Sequence, residues 1–294
     1  MSQTINRELL PAAILLAATA LVGGCTLPWT TRLVLPGRNT VVREQLIVHS
    51  DFPLPASHRL LEELTARRVD LQEQLGLPLS EEPIHVYLFD SAEDFRTFVG
   101  LYHPGFPSRR AFFLETDTRL EVYAQWGDRV AEDLRHEVTH GYLHSVVPNL
   151  PLWIDEGLAE YAEAPRGSHG LNPAHIELLR QRLERGSWQP DLVRLEGLDP
   201  TRDMSQLDYA ESWAWVHFLL ESRAECRTIL GDYVGELRRS GSATPLSARL
   251  RARLGQVEPA LAAHLGRLLC AADGPRPPAP PGQETPVADH RADL

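Results

Sequence analysis

Two histidines separated by one helical turn constrain this chain more than any other feature of it. They enclose the segment His136-Glu137-Val138-Thr139-His140. Residues four apart share one face of a helix, so both imidazoles can reach a single metal ion only if this segment is helical. Glu137 is rotated away from the pair and can act as general base toward a water on that ion. The segment therefore predicts a helix over about residues 129–147 with a metal site on one face.

A second helix is predicted directly afterwards, over residues 151–163, where Pro151 is typical of a first helical turn. A catalytic zinc takes three protein ligands and keeps one position open. A chain reversal between residues 147 and 151 can bring this helix back beside the first and aim Glu156 at the same ion. Glu160 lies one turn further on the same face, where it can accept a hydrogen bond from a ligand imidazole. Two neutral histidines and one carboxylate leave such a site positively charged, which favours ionisation of a bound water.

The paired motifs HExxH and WxxEGLAEY resemble the gluzincin clan of zinc metallopeptidases, and most closely the bacterial peptidase MA-like proteins. The resemblance covers about residues 130–240 and implies a peptide or protein substrate. It implies Zn²⁺ ligands at His136, His140 and Glu156, a catalytic base at Glu137, and an outer contact at Glu160. Asp155 stands where aminopeptidases of the clan usually carry Asn. An ordinary aminopeptidase is therefore disfavoured.

Peptidases of this clan take a donor for the oxyanion from a Tyr or His outside the zinc motif. The resemblance points to Tyr209, at the start of an apolar helix, with His217 as the second choice. A purely packing or capping role for Tyr209 remains open. His144 continues the row of His136 and His140, but it lies roughly 12 Å along the helix axis from His136, too far to share its ion.

The rest of the chain predicts an α+β, zincin-like fold: a small N-terminal mixed sheet, then the active-site helix and a mainly helical C-terminal half. One lead-in strand is expected within residues 41–48, and another strand at Ile84–Phe89. A hairpin is expected from residues 111–114 and 120–124, with Leu120–Ala124 as the sheet edge along which an extended substrate adds. The other predicted helices are 59–76, one beginning at Ser91, 173–186, 206–223, 226–239 and 256–272.

The N-terminus resembles a lipoprotein signal peptide, because an apolar run ends in Leu21-Val22-Gly23-Gly24-Cys25. This implies cleavage before Cys25, a lipid on its sulfur, and export to the bacterial cell envelope. The residue after Cys25 is Thr26 rather than Asp. By resemblance to other lipoproteins, this favours the outer membrane, with the protein facing the periplasm. An ordinary signal peptide or a short anchor helix with an incidental cysteine remains open.

The expected organisation is a signal peptide over 1–24, a tether and lead-in strand over 25–50, a peptidase domain over 51–272 with its core at 129–240, and a disordered Pro-rich tail over 273–294. Cys226 and Cys270 are the other two cysteines, and an exported compartment would permit them to pair or to remain separate. The oligomeric state is not predicted by the sequence.

Charge excludes several classes of function. The net charge is −11, from 29 basic and 40 acidic residues, so a nucleic-acid binder that relies on a broad basic surface is excluded. All 29 basic residues are Arg. The chain therefore lacks a lysine for Schiff-base or P-loop chemistry.

Three functional hypotheses remain. The first is a zinc-dependent metallopeptidase in which Glu137 is the general base. The second is a catalytically inactive zincin-fold lipoprotein that acts as a binding or structural module of the cell envelope. The third is hydrolysis of another carbonyl compound, such as a cell-wall peptide crosslink. The same ligands would also accept other first-row metal ions.

Overall fold

The structure is a computed structural model that describes residues 35–105 and 109–272. The expected signal peptide, Cys25 and the Pro-rich tail lie outside the described residues. Among the helices in those two ranges, none combines the length and the apolar character that a bilayer crossing requires.

Five strands of the described chain form one mixed sheet. They are β1 (Asn39–Arg43), β2 (Leu46–Ser50), β3 (Ile84–Phe89), β4 (Ala111–Thr116) and β5 (Arg119–Gln125), in the spatial order β1-β2-β3-β5-β4. The β2–β3 and β3–β5 pairs are parallel, whereas the outer pairs β1–β2 and β4–β5 are antiparallel. The predicted N-terminal mixed sheet is confirmed.

Two details of the sheet differ from the sequence expectation. The single lead-in strand is a hairpin of β1 and β2, because Glu44 adopts a positive φ of 49° and reverses the chain. The expectation that Leu120–Ala124 form the sheet edge is wrong. β5 pairs with β3 on one side and with its hairpin partner β4 on the other, so β4 is the edge strand at this end.

The helices of the described residues run between and after the strands. They are α1 (Arg59–Leu75), α2 (Ala92–Tyr102), α3 (Val130–His144), α4 (Leu152–Glu163), α5 (Pro173–Glu184), α6 (Leu192–Glu196), α7 (Gln206–Glu221), α8 (Ala224–Ser240), α9 (Leu246–Leu254) and α10 (Glu258–Ala272). All the predicted helices are present within a few residues of their expected bounds. The structure adds α6 and α9, and the α+β class is confirmed.

Helices cover both faces of the sheet. Side chains alternate between the two faces along β3. Ile84 faces α3, where a Cβ added at Gly141 would lie 2.9 Å from its Cδ1. Phe89, on the opposite face, packs against Phe95 and Phe98 of α2. Helix α3 is therefore held directly on the sheet, beside β4 and β5.

The helical half is built around α7, which is buried on all sides. Its Trp213 and Trp215, together with Trp153 of α4, are fully buried core residues. Helices α4 and α7 approach closely at Gly157, where an added Cβ would lie 2.6 Å from the carbonyl oxygen of Ser212. This contact fixes α4 against the core at the residue that follows Glu156.

Candidate metal centre

Three ligand atoms meet between α3 and α4. The chain reverses between His144 and Leu152, so that α4 returns beside α3. The Nε2 atoms of His136 and His140 lie 3.1 Å apart. Glu156 Oε2 lies 3.5 Å from His136 Nε2 and 3.8 Å from His140 Nε2. The structure therefore brings together the two histidines and the glutamate that the sequence singles out.

These atoms suit one small divalent cation. Tetrahedral coordination at zinc bond lengths places ligand atoms about 3.3–3.5 Å from one another, close to the observed triangle. Glu156 Oε2 is buried, and among the described residues it has no hydrogen-bond donor. A buried carboxylate oxygen without a partner is costly, and a cation between the imidazoles would compensate for it. His136, His140 and Glu156 form a group that can hold a metal ion.

Each of the two imidazoles has a carboxylate on its far side. His136 Nδ1 lies 2.9 Å from Glu163 Oε1, and His140 Nδ1 lies 2.9 Å from Asp155 Oδ1. A carboxylate at Nδ1 favours the tautomer that leaves Nε2 free as a ligand, and it orients the ring. Glu163 and Asp155 therefore favour an orientation of His136 and His140 in which both Nε2 atoms could bind a metal ion.

This arrangement corrects the role expected of Glu160. Glu160 Oε2 instead accepts a hydrogen bond from His175 Nε2 at 2.7 Å. The reason is the antiparallel course of α3 and α4: a step back along α3 from His140 to His136 is a step forward along α4. The carboxylate that reaches His136 therefore comes from Glu163, near the end of α4. Arg135 donates to the backbone oxygen of Glu163 at 2.5 Å and holds that end in place.

The carboxylates dominate the electrostatics of the site. Burial lowers the pKa of His136, but the carboxylates of Glu156 and Glu163 outweigh it and raise the pKa well above its ordinary value. Burial also lowers the pKa of His140, and Asp155 reverses this shift. The pKa of Asp155 itself lies well below its usual range, because the neighbouring imidazoles outweigh the penalty of burial. An environment that stabilises positive charge on the imidazoles also favours a cation between them.

A chain of polar contacts continues from His140 to the sheet edge. Asp155 Oδ2 lies 2.9 Å from His144 Nε2, and His144 Nδ1 lies 2.5 Å from Glu115 Oε2 on β4. Burial lowers the pKa of His144, yet Asp155 and then Glu115 raise it overall to about 9. His144 is thus partly buried, and its contact with Asp155 braces that carboxylate.

Two clefts open onto the centre. One is lined by His136, Glu137 and Tyr209, with Arg109 and Glu163 among its other residues. The other is lined by His140, Glu156 and Phe113, and again by Arg109 and Glu137. Glu137 therefore lies beside the ligands and open to both clefts, which suits a group that exchanges protons with a bound molecule.

Tyr209 and His217 have different surroundings. Tyr209 lies near the start of α7, and its oxygen accepts a hydrogen bond of 3.4 Å from Arg109 Nη2. Burial, and next the charge of Glu156, raise the pKa of Tyr209, so its hydroxyl keeps its proton. His217, two turns further on, is buried in the core and its Nδ1 lies 2.9 Å from His264 Nε2. Only Tyr209 of this pair lines a cleft at the centre.

Sequence reasoning missed Glu163, the contact of Asp155 with His140, and Arg109. Glu163 is seven residues after Glu156, so helical spacing places it on the same face of α4. That spacing was the available signal. The contacts of Asp155 and Arg109 depend on how α3, α4 and β4 are packed, and no local pattern marks them.

The α+β fold places two histidines on one helix and a glutamate on the next, and these three residues form a candidate metal site. A family described as the Peptidase MA superfamily matches residues 65–243, more than half of the chain. The chain belongs to this superfamily, and the matched region contains α3, α4 and α7 with every candidate metal ligand. A comparison with curated proteins returns no match. Family membership supports a metal-dependent peptidase.

The remaining cysteines are unpaired. Cys226 is buried in α8, and Cys270 is exposed on α10. Of the alternatives that the sequence left open, the structure therefore shows two separate thiols.

Proposed function

We propose that this protein is a zinc-dependent peptidase whose metal ligands are His136, His140 and Glu156. The observation that carries the proposal is the triangle of ligand atoms, 3.1, 3.5 and 3.8 Å on a side, with Glu137 beside it and open to both clefts. Membership of the Peptidase MA superfamily supports the same reaction class.

Zinc is the proposed metal because of the donor set. Two imidazoles and one carboxylate are a common ligand set of catalytic zinc, and three protein ligands leave a position open. A zinc ion held there would polarise the substrate carbonyl and lower the pKa of a water.

The chain's own residues supply the proton transfers. Glu137 takes a proton from the attacking water as the water oxygen bonds to the carbonyl carbon. It then returns that proton to the amide nitrogen as the C–N bond breaks. Tyr209 is the proposed hydrogen-bond donor to the carbonyl oxygen, because it lines the cleft shared by His136 and Glu137. Glu163 and Asp155 hold the two imidazoles in the ligand orientation.

The test combines metal content with cleavage by the purified chain. We expect about one zinc per chain, and cleavage of members of a panel of internally quenched peptides and cross-linked cell-wall peptides. Glu137→Gln should keep the zinc and lower the cleavage rate by about 10²–10⁴-fold. His140→Ala and Glu156→Ala should lose both zinc and cleavage.

Two results would contradict the proposal. Cleavage by Glu137→Gln at the wild-type rate would remove Glu137 from the mechanism. Full zinc occupancy without cleavage of any panel member would favour the inactive binding module.

A further inference from the structure

Arg109 is a cation at the metal centre that the proposed roles leave unused. It lies immediately before β4, next to Arg110, whose guanidinium is engaged with Asp133 through two hydrogen bonds of 2.9 and 2.6 Å. Arg109 differs from its neighbour because, among the described residues, it forms no ion pair. Its hydrogen bond within that part of the chain is the long one to Tyr209.

Arg109 borders the same clefts as Glu137, the proposed general base. Within the described part of the chain, Arg109 and Glu137 are the two residues that line both clefts of the centre. Burial works against the charge of Arg109, but Tyr209, Glu137 and Glu156 outweigh it and raise its pKa. A cation and the general base therefore border the same space, beside the ligand Glu156.

The direction of the hydrogen bond between Arg109 and Tyr209 determines which of their protons remain free. Arg109 Nη2 donates to the oxygen of Tyr209, so the hydroxyl proton of Tyr209 remains available for another acceptor. Among the described residues, the remaining N–H groups of the Arg109 guanidinium have no acceptor. Arg109 and Tyr209 together present a positive charge and two kinds of donor to whatever occupies the cleft.

We propose that Arg109 is a catalytic residue that, with Tyr209, binds the substrate carbonyl oxygen as it becomes negatively charged. This inference rests on the proposed peptidase function. The water oxygen bonds to the carbonyl carbon, Glu137 takes the water proton, and the π electron pair of the carbonyl moves onto its oxygen. Arg109 N–H and Tyr209 O–H donate to that oxygen. The C–N bond then breaks, the carbonyl forms again, and the amine nitrogen takes the proton from Glu137.

Charge explains why an arginine serves this purpose. Its guanidinium stays protonated at every physiological pH. A fixed positive charge in a partly buried cleft stabilises a developing anion more than a neutral donor does. Tyr209 alone would be a neutral donor beside the carboxylates of Glu137 and Glu156. Arg109 supplies the charge that this group of residues otherwise lacks.

The test uses Arg109→Gln, Arg109→Lys and Tyr209→Phe in the full chain, with Arg96→Gln as control because Arg96 is exposed on α2, outside the centre. The kinetic constants kcat and KM are measured on a cleaved peptide with blocked ends and on the same peptide with a free C-terminal carboxylate. Calorimetry measures the affinity for a phosphinic peptide, whose tetrahedral phosphinate imitates the intermediate. Zinc content and thermal unfolding are recorded for each variant.

We expect Arg109→Gln to lower kcat on the blocked peptide by about 100-fold or more, with little change in KM. The affinity for the phosphinic peptide should fall by a similar factor, while the zinc content stays the same. Arg109→Lys should recover part of the loss because it keeps the charge, which a folding defect would not allow. Arg96→Gln should match the wild type.

Three outcomes would overturn the inference. The first is an unchanged kcat on the blocked peptide. The second is an effect confined to KM on the free-carboxylate peptide, which would make Arg109 a binding site for the substrate C-terminus. The third is equal affinity of the wild type and Arg109→Gln for the phosphinic peptide. This binding measurement rejects the role of Arg109 even if the wild type cleaves nothing and the peptidase proposal itself fails.

Discussion

At the scale of single residues, the helical spacing of His136 and His140 does not indicate which carboxylates contact their imidazoles. The ligand positions follow from the period of α3, because His136 and His140 are one turn apart. Their far-side partners come from opposite ends of α4: Asp155 contacts His140, and Glu163 contacts His136. We therefore expect the affinity for a metal ion to depend also on Asp155 and Glu163, which are not proposed ligands.

Glu163→Gln and Glu160→Gln test this arrangement as a matched pair on one helix. Glu163→Gln removes the charge beside His136 Nδ1, so we expect about 10-fold weaker zinc binding. Glu160→Gln should leave zinc affinity near the wild-type value, since Glu160 contacts His175 instead. Competition with a chromophoric chelator measures both. If Glu160→Gln weakened zinc binding and Glu163→Gln did not, Glu160 rather than Glu163 would be the carboxylate that supports a ligand imidazole.

The proximity of the three candidate ligands could be predicted from sequence because it depends on local periodicity and one short chain reversal. His136, His140 and Glu156 are related by helical turns and by the seven residues between His144 and Leu152. Glu163 and Arg109 could not be assigned in the same way. Their roles depend on the course of α4 along α3 and on where the chain enters β4, which tertiary packing determines.

At the scale of elements, the contact between α4 and α7 positions the third ligand. Gly157 follows Glu156, and its missing side chain lets the backbone of α7 approach at Ser212. We expect Gly157→Ala to lower the free energy of unfolding by about 1–3 kcal/mol, because the added Cβ would meet backbone atoms. The same displacement should weaken zinc binding, since Glu156 moves with α4.

Gly266→Ala is the control for that substitution. Nothing lies within 4 Å of a Cβ added at Gly266, which is exposed on α10. Alanine there should raise stability by about 0.5–1 kcal/mol through its higher helix propensity. Urea denaturation of the two variants gives both values. Equal stabilities for Gly157→Ala and the wild type would show that α4 and α7 can separate without cost.

Helix α10 packs against α7 through a buried pair of histidines, which predicts acid sensitivity. Burial lowers the pKa of His217 to about 4, and burial with His217 and Arg267 lowers that of His264 to about 4. His169 and Glu221 are the other titratable groups that act on the pair. In the unfolded chain both histidines titrate near 6.5. Between about pH 4 and 6.5 the unfolded state therefore binds more protons than the folded state. The contribution of the pair to the free energy of unfolding is fully present above about pH 6.5 and falls toward pH 4.

His264→Gln tests this pH dependence and keeps a hydrogen-bonding group in place. Each histidine contributes a slope of at most about 1.4 kcal/mol per pH unit to the free energy of unfolding. We expect the stability of His264→Gln to change less between pH 6.5 and 4.5 than that of the wild type. Urea denaturation at several pH values in this range measures the difference. Parallel curves for the two proteins would mean that the pair does not titrate on unfolding.

The elements that the sequence missed share a physical cause. Helix α6 has five residues, too few for a hydrophobic period to be visible, and buried Glu211 holds it through Arg194 at 2.6 Å. Helix α9 carries an arginine-rich sequence in which few positions are buried. The central place of β5 in the sheet depends on the parallel pairing of β3 with β5, which joins strands far apart in the chain. Long-range pairing leaves no local pattern in the sequence.

At the scale of the whole molecule, the centre combines groups from both halves of the fold. The strand half contributes Glu115 of β4, and Arg109 just before that strand. The helical half contributes Tyr209 of α7 and the two ligand-bearing helices. The fold therefore builds one site from segments far apart in the sequence, since Arg109 and Tyr209 are 100 positions apart in the chain.

We propose that the chain acts while tethered to a membrane by a lipid on Cys25, and this proposal rests on the sequence Leu21-Val22-Gly23-Gly24-Cys25. Each buried CH₂ of a lipid chain contributes about 0.8 kcal/mol to membrane binding, so two or more acyl chains give a stable anchor. Expression of the full chain in bacteria with an alkyne fatty acid should label the wild type and place it in the membrane fraction. Cys25→Ser should lose the label and the membrane association. Cys270→Ser removes a cysteine that is exposed on α10, and it should keep both. Equal labelling of Cys25→Ser and wild type would reject acylation at this position, whereas membrane association of unlabelled Cys25→Ser would point to an uncleaved apolar N-terminus as the anchor.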